Sequence, residues 1–204
     1  MMLYDRVVLP RLCDCVMRSR QFKLRRRRIV ERAEGRVLEI GAGSGLSLRH
    51  YGPAVSSVLA VEPDPALIEM AQREVFRAIR PVTFIQASAE NIPVDTHSID
   101  TAVTAWTLCT VPDGQRALKE LRRVLKPNGR LLFAEHGLAP QHGVRRWQNR
   151  LTPLWAALSG GCRLNRQVSE MIEDAGFKIE KLATGYLPGT ISLAYVYEGS
   201  ARPT

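Results

Sequence analysis
The run Arg36-Val37-Leu38-Glu39-Ile40-Gly41-Ala42-Gly43-Ser44-Gly45 restricts the fold of this chain more than any other stretch. Its first half is short, apolar and β-branched, the pattern of a strand buried in a parallel sheet. Its second half sets three glycines on alternate positions and resumes as Leu46-Ser47-Leu48-Arg49-His50-Tyr51, which predicts a first helix. A strand that feeds a helix through glycines lets backbone N–H groups approach a ligand closely, because no Cβ intervenes. The dinucleotide fingerprint G-x-G-x-x-G needs its third glycine at position 46, where Leu46 stands. The pattern is instead Glu-x-Gly-x-Gly-x-Gly. Taken alone it also fits a tight strand–helix turn with no ligand.

The elements that follow alternate. Ser57 to Pro63 reads as a second strand ending in Glu62, ~20 residues past the loop, where a ribose-binding carboxylate falls in nucleotide-binding βαβ units. A carboxylate accepts from both ribose hydroxyls. Pro65 suits a helix start, and Leu67, Ile68, Met70 and Ala71 continue it toward Arg80. Pro81 opens a third strand, Val82–Ala87, followed by Ser88-Ala89-Glu90-Asn91-Ile92-Pro93, where Ser88 also fits an ordinary cap. Ser98 to Trp106, through Thr104, is a fourth strand, and Thr107 to Asp113 its loop. Gln115 to Leu125 is amphipathic and stops at a predicted turn, Lys126-Pro127-Asn128-Gly129, before a fifth strand from Arg130 to His136. A helix over Val168–Ala175 is capped by Gly176, and Phe177–Leu187 and Ile191–Tyr197 predict two strands joined around Pro188-Gly189. Alternating strands and helices argue for an open parallel α/β sheet with an antiparallel final pair. Ligands of such sheets lie beyond the carboxyl ends of the strands, where Gly41 to Gly45, Glu62, Ser88 to Glu90, Trp106 and His136 all fall.

Motif I, the Ser-x-Asp-x-Val pattern in strand 4 (Ser98, Asp100, Ala102) and the run Leu121-Arg122-Arg123-Val124-Leu125-Lys126-Pro127-Asn128-Gly129-Arg130-Leu131 resemble the class I S-adenosylmethionine-dependent methyltransferases. The resemblance implies a single-domain Rossmann-like sheet of seven strands, order 3-2-1-4-5-7-6, with strand 7 antiparallel. It implies S-adenosyl-L-methionine as cofactor, bound by Glu39, Gly41, Ala42, Gly43, Ser44, Gly45, Glu62, Pro63, Ser88, Ala89, Glu90, Thr104 and Trp106. In that family the loop wraps the amino-acid end of the cofactor, an acid two before the first glycine helps hold its ammonium, and the segment matched by Ser88, Ala89 and Glu90 touches the adenine. Thr107-Leu108-Cys109-Thr110-Val111, Glu135-His136, and Trp147-Gln148 through Trp155 to Gly161-Cys162-Arg163-Leu164-Asn165-Arg166 narrow the likeness. They resemble the methyltransferase-like group that includes membrane-associated alkyl-thiol methyltransferases. The hydrophobic anchor with which the animal members begin is not expected here.

Residues 1–34 are expected to form a helical lid and basic arm ahead of a cofactor-binding domain over 35–204. Leu3, Val7, Val8, Leu12, Val16 and Met17 make an apolar stripe at helical spacing, interrupted by Pro10. Closing over the cleft, the segment would bring Tyr4 and Arg11 nearest the cofactor or acceptor. Arg18, Arg20, Lys23, Arg25, Arg26, Arg27, Arg28 and Arg32 face only Glu31 within 18–32, so this arm carries most of the +9 net charge. It could meet an anionic membrane surface or nucleic acid, or be a solvated helix face. No apolar run approaches the ~20 residues of a membrane span. Asp5, Arg6, Arg11 and Asp14 do not fit a signal peptide, and Cys13, Cys15, Cys109 and Cys162 are too few for a disulfide framework. A reduced cytoplasmic setting follows, with peripheral contact at the inner membrane face through residues 18–32.

The chemistry expected is methyl transfer to a small-molecule acceptor, a thiol among the candidates. A sulfonium is already activated, so such a chain mainly binds, aligns and desolvates. A thiol must react as thiolate, and His136, Arg163 and Arg166 are candidates for the environment that favours it. His136 could alternatively be a general base for an oxygen or nitrogen acceptor, or merely a hydrogen-bonded strand-end histidine. Tyr4, Arg11, Cys109, Trp147, Cys162, Arg163, Asn165 and Arg166 are the candidate acceptor pocket, with Trp147 and Trp155 as its wall or as core. No metal is expected, since Cys13 and Cys15 have no second Cys/His pair at useful spacing. Two rival readings are a methyltransferase for a lipid or quinone precursor at a membrane, and a non-enzymatic nucleic-acid-binding module. The intact set Glu39, Gly41, Gly43, Gly45 and Glu62 argues against the second.

Overall fold
A computed structural model describes residues 9–187 and 194–204. Two helices, α1 (Leu9–Met17) and α2 (Arg20–Val30), precede β1 (Gly35–Ile40). Then come β2 (Val55–Val61), α3 (Pro65–Val75), β3 (Val82–Ile85), β4 (Ile99–Ala105), α4 (Gly114–Val124) and β5 (Leu125–Gly137). The chain closes with α5 (His142–Leu158), α6 (Val168–Asp174), β6 (Phe177–Tyr186) and β7 (Tyr195–Pro203). The seven strands lie in the order β3-β2-β1-β4-β5-β7-β6. β1 pairs parallel to β2 and β4, whereas β7 runs antiparallel to β5 and β6, as the alternation of elements and the resemblance imply.

Strand alternation divides the core into two faces. Leu38, Ile40, Leu131 and Phe133 point to one side and pack under α4 and α6, through Leu118, Leu121 and Ile172. Val37, Val103, Leu132 and Ala134 point to the other, where Phe22, Ile29 and Val30 of α2 cover them. The arginine-rich α2 is thus a packing layer of the sheet. Of its basic side chains, Arg25 pairs with Glu198, Arg27 pairs with Glu31 and Arg26 is buried, and just past the helix Arg32 donates to Ser200.

Four expectations change. The helix predicted from Leu46 to Tyr51 is one 3₁₀ turn, Leu48–His50, because Gly52-Pro53 stops it immediately. Lys126 to Gly129 is an irregularity within β5, where the register with β4 jumps from Ile99↔Leu125 to Thr101↔Arg130. The last strand runs on from Tyr195 to Pro203, past the predicted end at Tyr197. The Pro188-Gly189 turn, Ile191 and Tyr4 lie outside the described residues. Finally, the N-terminal stripe does not bury as one face: Leu12 is 51% and Val16 49% exposed while Met17 packs inward, and Leu3, Val7 and Val8 lie outside the described residues. Pro10, Cys13, Asp14 and Met17 form the inner face of α1.

Candidate active site
The glycine loop leaves β1 with Gly41, Gly43 and Gly45 all at positive φ (61°, 55° and 77°), a conformation that L side chains rarely adopt. The three positions differ in what lies beside them. A Cβ on Gly41 would overlap the Thr107 side chain, and one on Gly45 would stand 3.0 Å from Ala71. Among the described residues, a Cβ on Gly43 would meet nothing nearer than Gly41 O at 3.9 Å, so this residue opens away from the sheet beyond the strand ends. That open face is the cradle that close approach of a ligand requires.

Glu62, just past β2, ties the loop to the next strand end. Its Oε2 accepts from Gly43 N at 2.9 Å and its Oε1 from Asp64 N at 3.1 Å. Burial pushes its carboxyl above the usual range, and these two backbone N–H groups partly counter that. Glu39 is also buried and pushed up by desolvation, against hydrogen bonds from Ser47 and from Tyr51 Oη at 2.9 Å. Ala42 is buried in the loop, and Ser44 Oγ donates to Asp14 Oδ1 at 2.5 Å, which seats α1 against it. A small cavity of about 120 Å³ adjoins the loop, lined by Arg18, Lys23, Arg26, Leu46, Arg49 and His50. Pro63, next to Glu62, is exposed; past β3, Ser88 is exposed and Ala89 is buried. Ser88 Oγ accepts from Glu90 N, and Glu90 accepts from Asp113 N.

Trp106 ends β4 with φ at 64°, a strained value for a non-glycine residue and of a kind that clusters at functional sites. Its ring packs edge-on to Phe22 at 4.8 Å and tilted on His136 at 4.9 Å between centroids. Its indole Nε1 is buried without a hydrogen-bond partner among the described residues, a donor available to a ligand acceptor. Thr104, expected at the cofactor, is instead fully buried and donates to Glu135 Oε1 at 2.6 Å. It lies one residue short of the strand end and braces the site from below.

Glu135 is the organising group that sequence reasoning quoted but did not use. It is completely buried in β5 and accepts from Thr104 Oγ1, from Thr107 N at 3.0 Å and from Cys109 N at 3.2 Å. Desolvation raises its carboxyl pKa, opposed by these bonds. An ionisable residue directly after the apolar run Leu131–Ala134, still within the predicted strand, was the available signal. Arg166, expected to favour an acceptor thiolate, has a different task. Its guanidinium donates to Leu108 O, Val111 O and Pro112 O, so its donors staple the loop after β4. Arg163 is exposed, but its backbone N–H donates to Cys109 O at 2.7 Å. Asn165 bonds Asn149. Trp147 is 57% and Trp155 46% exposed, so neither is core. Arg11 is exposed on α1.

The loops after β4 and α5 and the end of β5 meet at three side chains. Cys162 Sγ lies 3.7 Å from Cys109 Sγ and 3.7 Å from His136 Nδ1. Cys109 and Cys162 are buried, and His136 is half-buried. Cys109 and then His136 draw the Cys162 thiol down to about 5 against its burial. Cys109, which then donates to that thiolate, is held well above the usual thiol range. Cys13 on α1 faces the same group: burial and then Cys162 push its thiol up. Cys15 is exposed.

Residues 38–133 match the Methyltransferase domain family. The chain is 34% identical over 145 residues to thiol S-methyltransferase TMT1B of Rattus norvegicus, covering 69% of this chain and 59% of that protein. It is 33% identical over 150 residues to thiol S-methyltransferase TMT1A of Homo sapiens, covering 72% and 61%. It therefore spans about three-fifths of these relatives' lengths. A SAM-dependent methyltransferase from Thermotoga maritima shares the fold with a TM-score of 0.70 at 22% identity, covering 100% of this chain and 99% of that one. One from Aquifex aeolicus does so with a TM-score of 0.68 at 17% identity, covering 96% and 98%. The chain belongs to the class I S-adenosylmethionine-dependent methyltransferases. Within that class, thiol S-methyltransferases are among its relatives.

The residues present fit S-adenosylmethionine. The open face of Gly43, the acid Glu62 at the neighbouring strand end and the orphaned Trp106 Nε1 are what a ligand with ribose hydroxyls and polar heteroatoms needs. Glu62→Ala is expected to weaken cofactor binding by about 1.5–3 kcal/mol, roughly 10- to 100-fold in Kd. Isothermal titration checks this, with the acceptor KM little changed. Equal cofactor affinities would place the ribose elsewhere.

Proposed function
We propose that this chain transfers the methyl group of S-adenosylmethionine to a small-molecule thiol. The single observation that carries the reading is the join between loop and acid, Gly43 N–H on Glu62, at the open carboxyl ends of β1 and β2. Thiol S-methyltransferase relatives support the choice of acceptor. When bound, the cofactor supplies an electrophilic methyl carbon on a positively charged sulfur. Glu39 and the loop face its amino-acid end, Glu62 its ribose, and the Ser88–Glu90 segment its adenine. Trp106 and His136 line the side from which the acceptor comes, at the ends of β4 and β5. There, a proton leaves the acceptor sulfur before attack, and water is excluded by the aromatic group Phe22, Trp106 and His136.

Helix α1 is the lid in this reading. It is latched by Asp14 to Ser44, and Leu9 reaches the loop at Gly160, so it bridges both sides of the site. Removing residues 1–16 should leave a folded sheet, because Phe22, Ile29 and Val30 of α2 remain, but should cut kcat at least about tenfold. Unchanged kcat and KM for the truncated protein would dismiss the lid. Among the described residues no helix is long and apolar enough to cross a membrane. A second reading has one specific support: 32% identity over 111 residues to a demethylmenaquinone methyltransferase of Clavibacter sepedonicus, covering 54% of this chain and 45% of that one. Assaying thiols beside quinone precursors, with methyl-labelled cofactor, separates the two. Label carried into thioethers supports the first, and label carried only into a quinone precursor supports the second.

A further inference from the structure
We propose that Cys109, His136 and Cys162 form a zinc site whose fourth position is open to the acceptor thiol. This rests on the thiol reading above only for the identity of that fourth ligand. The ligand atoms of the three residues all lie within 4.8 Å of one another. Tetrahedral ligands at usual zinc distances, ~2.3 Å for sulfur and ~2.0 Å for nitrogen, stand roughly 3.8 Å apart for S···S and 3.6 Å for S···N. The observed separations are 3.7 Å for each contact of Cys162. A disulfide would need its sulfurs ~2.05 Å apart. Two thiolates and an imidazole are a soft donor set suited to zinc.

The surrounding chain holds these atoms in place. Cys109 is fixed through its backbone at both ends, N–H to Glu135 Oε2 at 3.2 Å and carbonyl from Arg163 N at 2.7 Å. Cys162 follows Gly160 and Gly161, both at positive φ (67° and 92°). A Cβ on Gly161 would stand 3.0 Å from Thr110 O, so only glycine lets this loop descend onto Cys109 so closely. The imidazole plane of His136 is set by Trp106 and Phe22, with centroids at 4.9 and 5.8 Å. Three protein ligands with one vacant position are the arrangement of catalytic zinc, whereas structural sites close with four.

Such a site answers a need of the chemistry. A thiol binding the metal loses its proton to solvent and becomes a thiolate near neutral pH. A lone pair of that sulfur forms the new C–S bond to the methyl carbon. The bond from that carbon to the cofactor sulfonium breaks, its electron pair staying on the cofactor sulfur. The product is a neutral thioether, a weaker ligand than the thiolate, and leaves. The ligands come from two loops and the end of β5, so no short sequence spacing announces them.

The full-length chain, purified reduced and metal-free, is titrated with Zn²⁺ against a zinc-binding dye and with Co²⁺ by visible absorption. About one metal ion per chain and a thiolate-to-cobalt band are expected. Cys162→Ser, Cys109→Ser and His136→Asn should each lose binding at least tenfold while still binding S-adenosylmethionine, which shows that they fold. Cys13→Ser and Cys15→Ser should keep it, and adding a small alkyl thiol to the cobalt form should shift the spectrum. Absence of metal binding, or binding by the three variants equal to that of wild type, would overturn the proposal. So would loss of metal in Cys13→Ser or a spectrum blind to thiols, since either closes the fourth position. Thiol methylation by metal-free protein overturns the zinc site and leaves the proposed function standing. A thiol-responsive metal site without methylation does the reverse.

Discussion

Gly43→Val is expected to abolish measurable S-adenosylmethionine binding, a loss of at least about 100-fold in Kd, in a protein that still folds. The two effects separate because of where the glycine points. Its Cβ would enter open space beyond the strand ends, with only Gly41 O within 4 Å, so nothing in the fold has to move. The strain is confined to a side chain held at a φ of 55°, about 1–2 kcal/mol for a left-handed L-residue. The same space is where the cofactor must approach the loop backbone. Gly41→Ala is the contrasting variant. Its Cβ overlaps Thr107, whose hydroxyl donates to Ile40 O, so it should lower the melting temperature as well as binding. Thermal melting of both variants with and without cofactor checks the pair, because a ligand that binds only the native state raises Tm. A Gly43→Val protein stabilised by cofactor as wild type is would remove the loop from the binding site.

Glu135→Leu is the substitution expected to damage stability most. It leaves Thr107 N, Cys109 N and Thr104 Oγ1 buried without their acceptor. The loss should be on the order of 3–5 kcal/mol, roughly 10 °C in Tm for a chain of this size. Glu135→Gln keeps an acceptor oxygen and should cost less. Its pH dependence is informative. Burial raises the folded-state pKa of Glu135 above its unfolded value, so what wild type gains from this group is present at low pH. That gain is lost as pH rises through the raised pKa. The stability gap between wild type and Glu135→Gln should therefore narrow toward neutral pH. Chemical denaturation at several pH values measures it, and a gap that widens with pH would mean the carboxylate is stabilised in its charged form.

The sheet was legible because its signals are local. Val58 to Val61 and Leu131 to Ala134 are apolar runs, as is Val37 to Ile40 but for Glu39, each followed by glycine or an acid, and their carboxyl ends carry the residues of the site. What escaped depends on tertiary context. The eight basic side chains of residues 18–32 suggested an arm meeting an anionic surface, or a solvated helix face, yet Phe22, Ile29 and Val30 lie on one side of α2 and bind it to the sheet. Arginine stems can lie along apolar surface while their charged heads find Glu198, Ser200 or solvent. Arg166 was read as an electrostatic partner for a substrate because sequence shows charge but not that its donors end on three backbone carbonyls. The cluster of Cys109, His136 and Cys162 is invisible to spacing rules, since loop closure and not sequence proximity brings it together.

The most direct test of the account is incubation of the purified chain with methyl-labelled S-adenosylmethionine and a panel of small thiols, phenols, amines and quinone precursors. Label is expected in thioethers, with S-adenosylhomocysteine formed in equal amount, and both are expected to be lost in Gly43→Val. Cofactor binding with no label transferred to any thiol, or transfer only to oxygen, nitrogen or carbon acceptors, would contradict it.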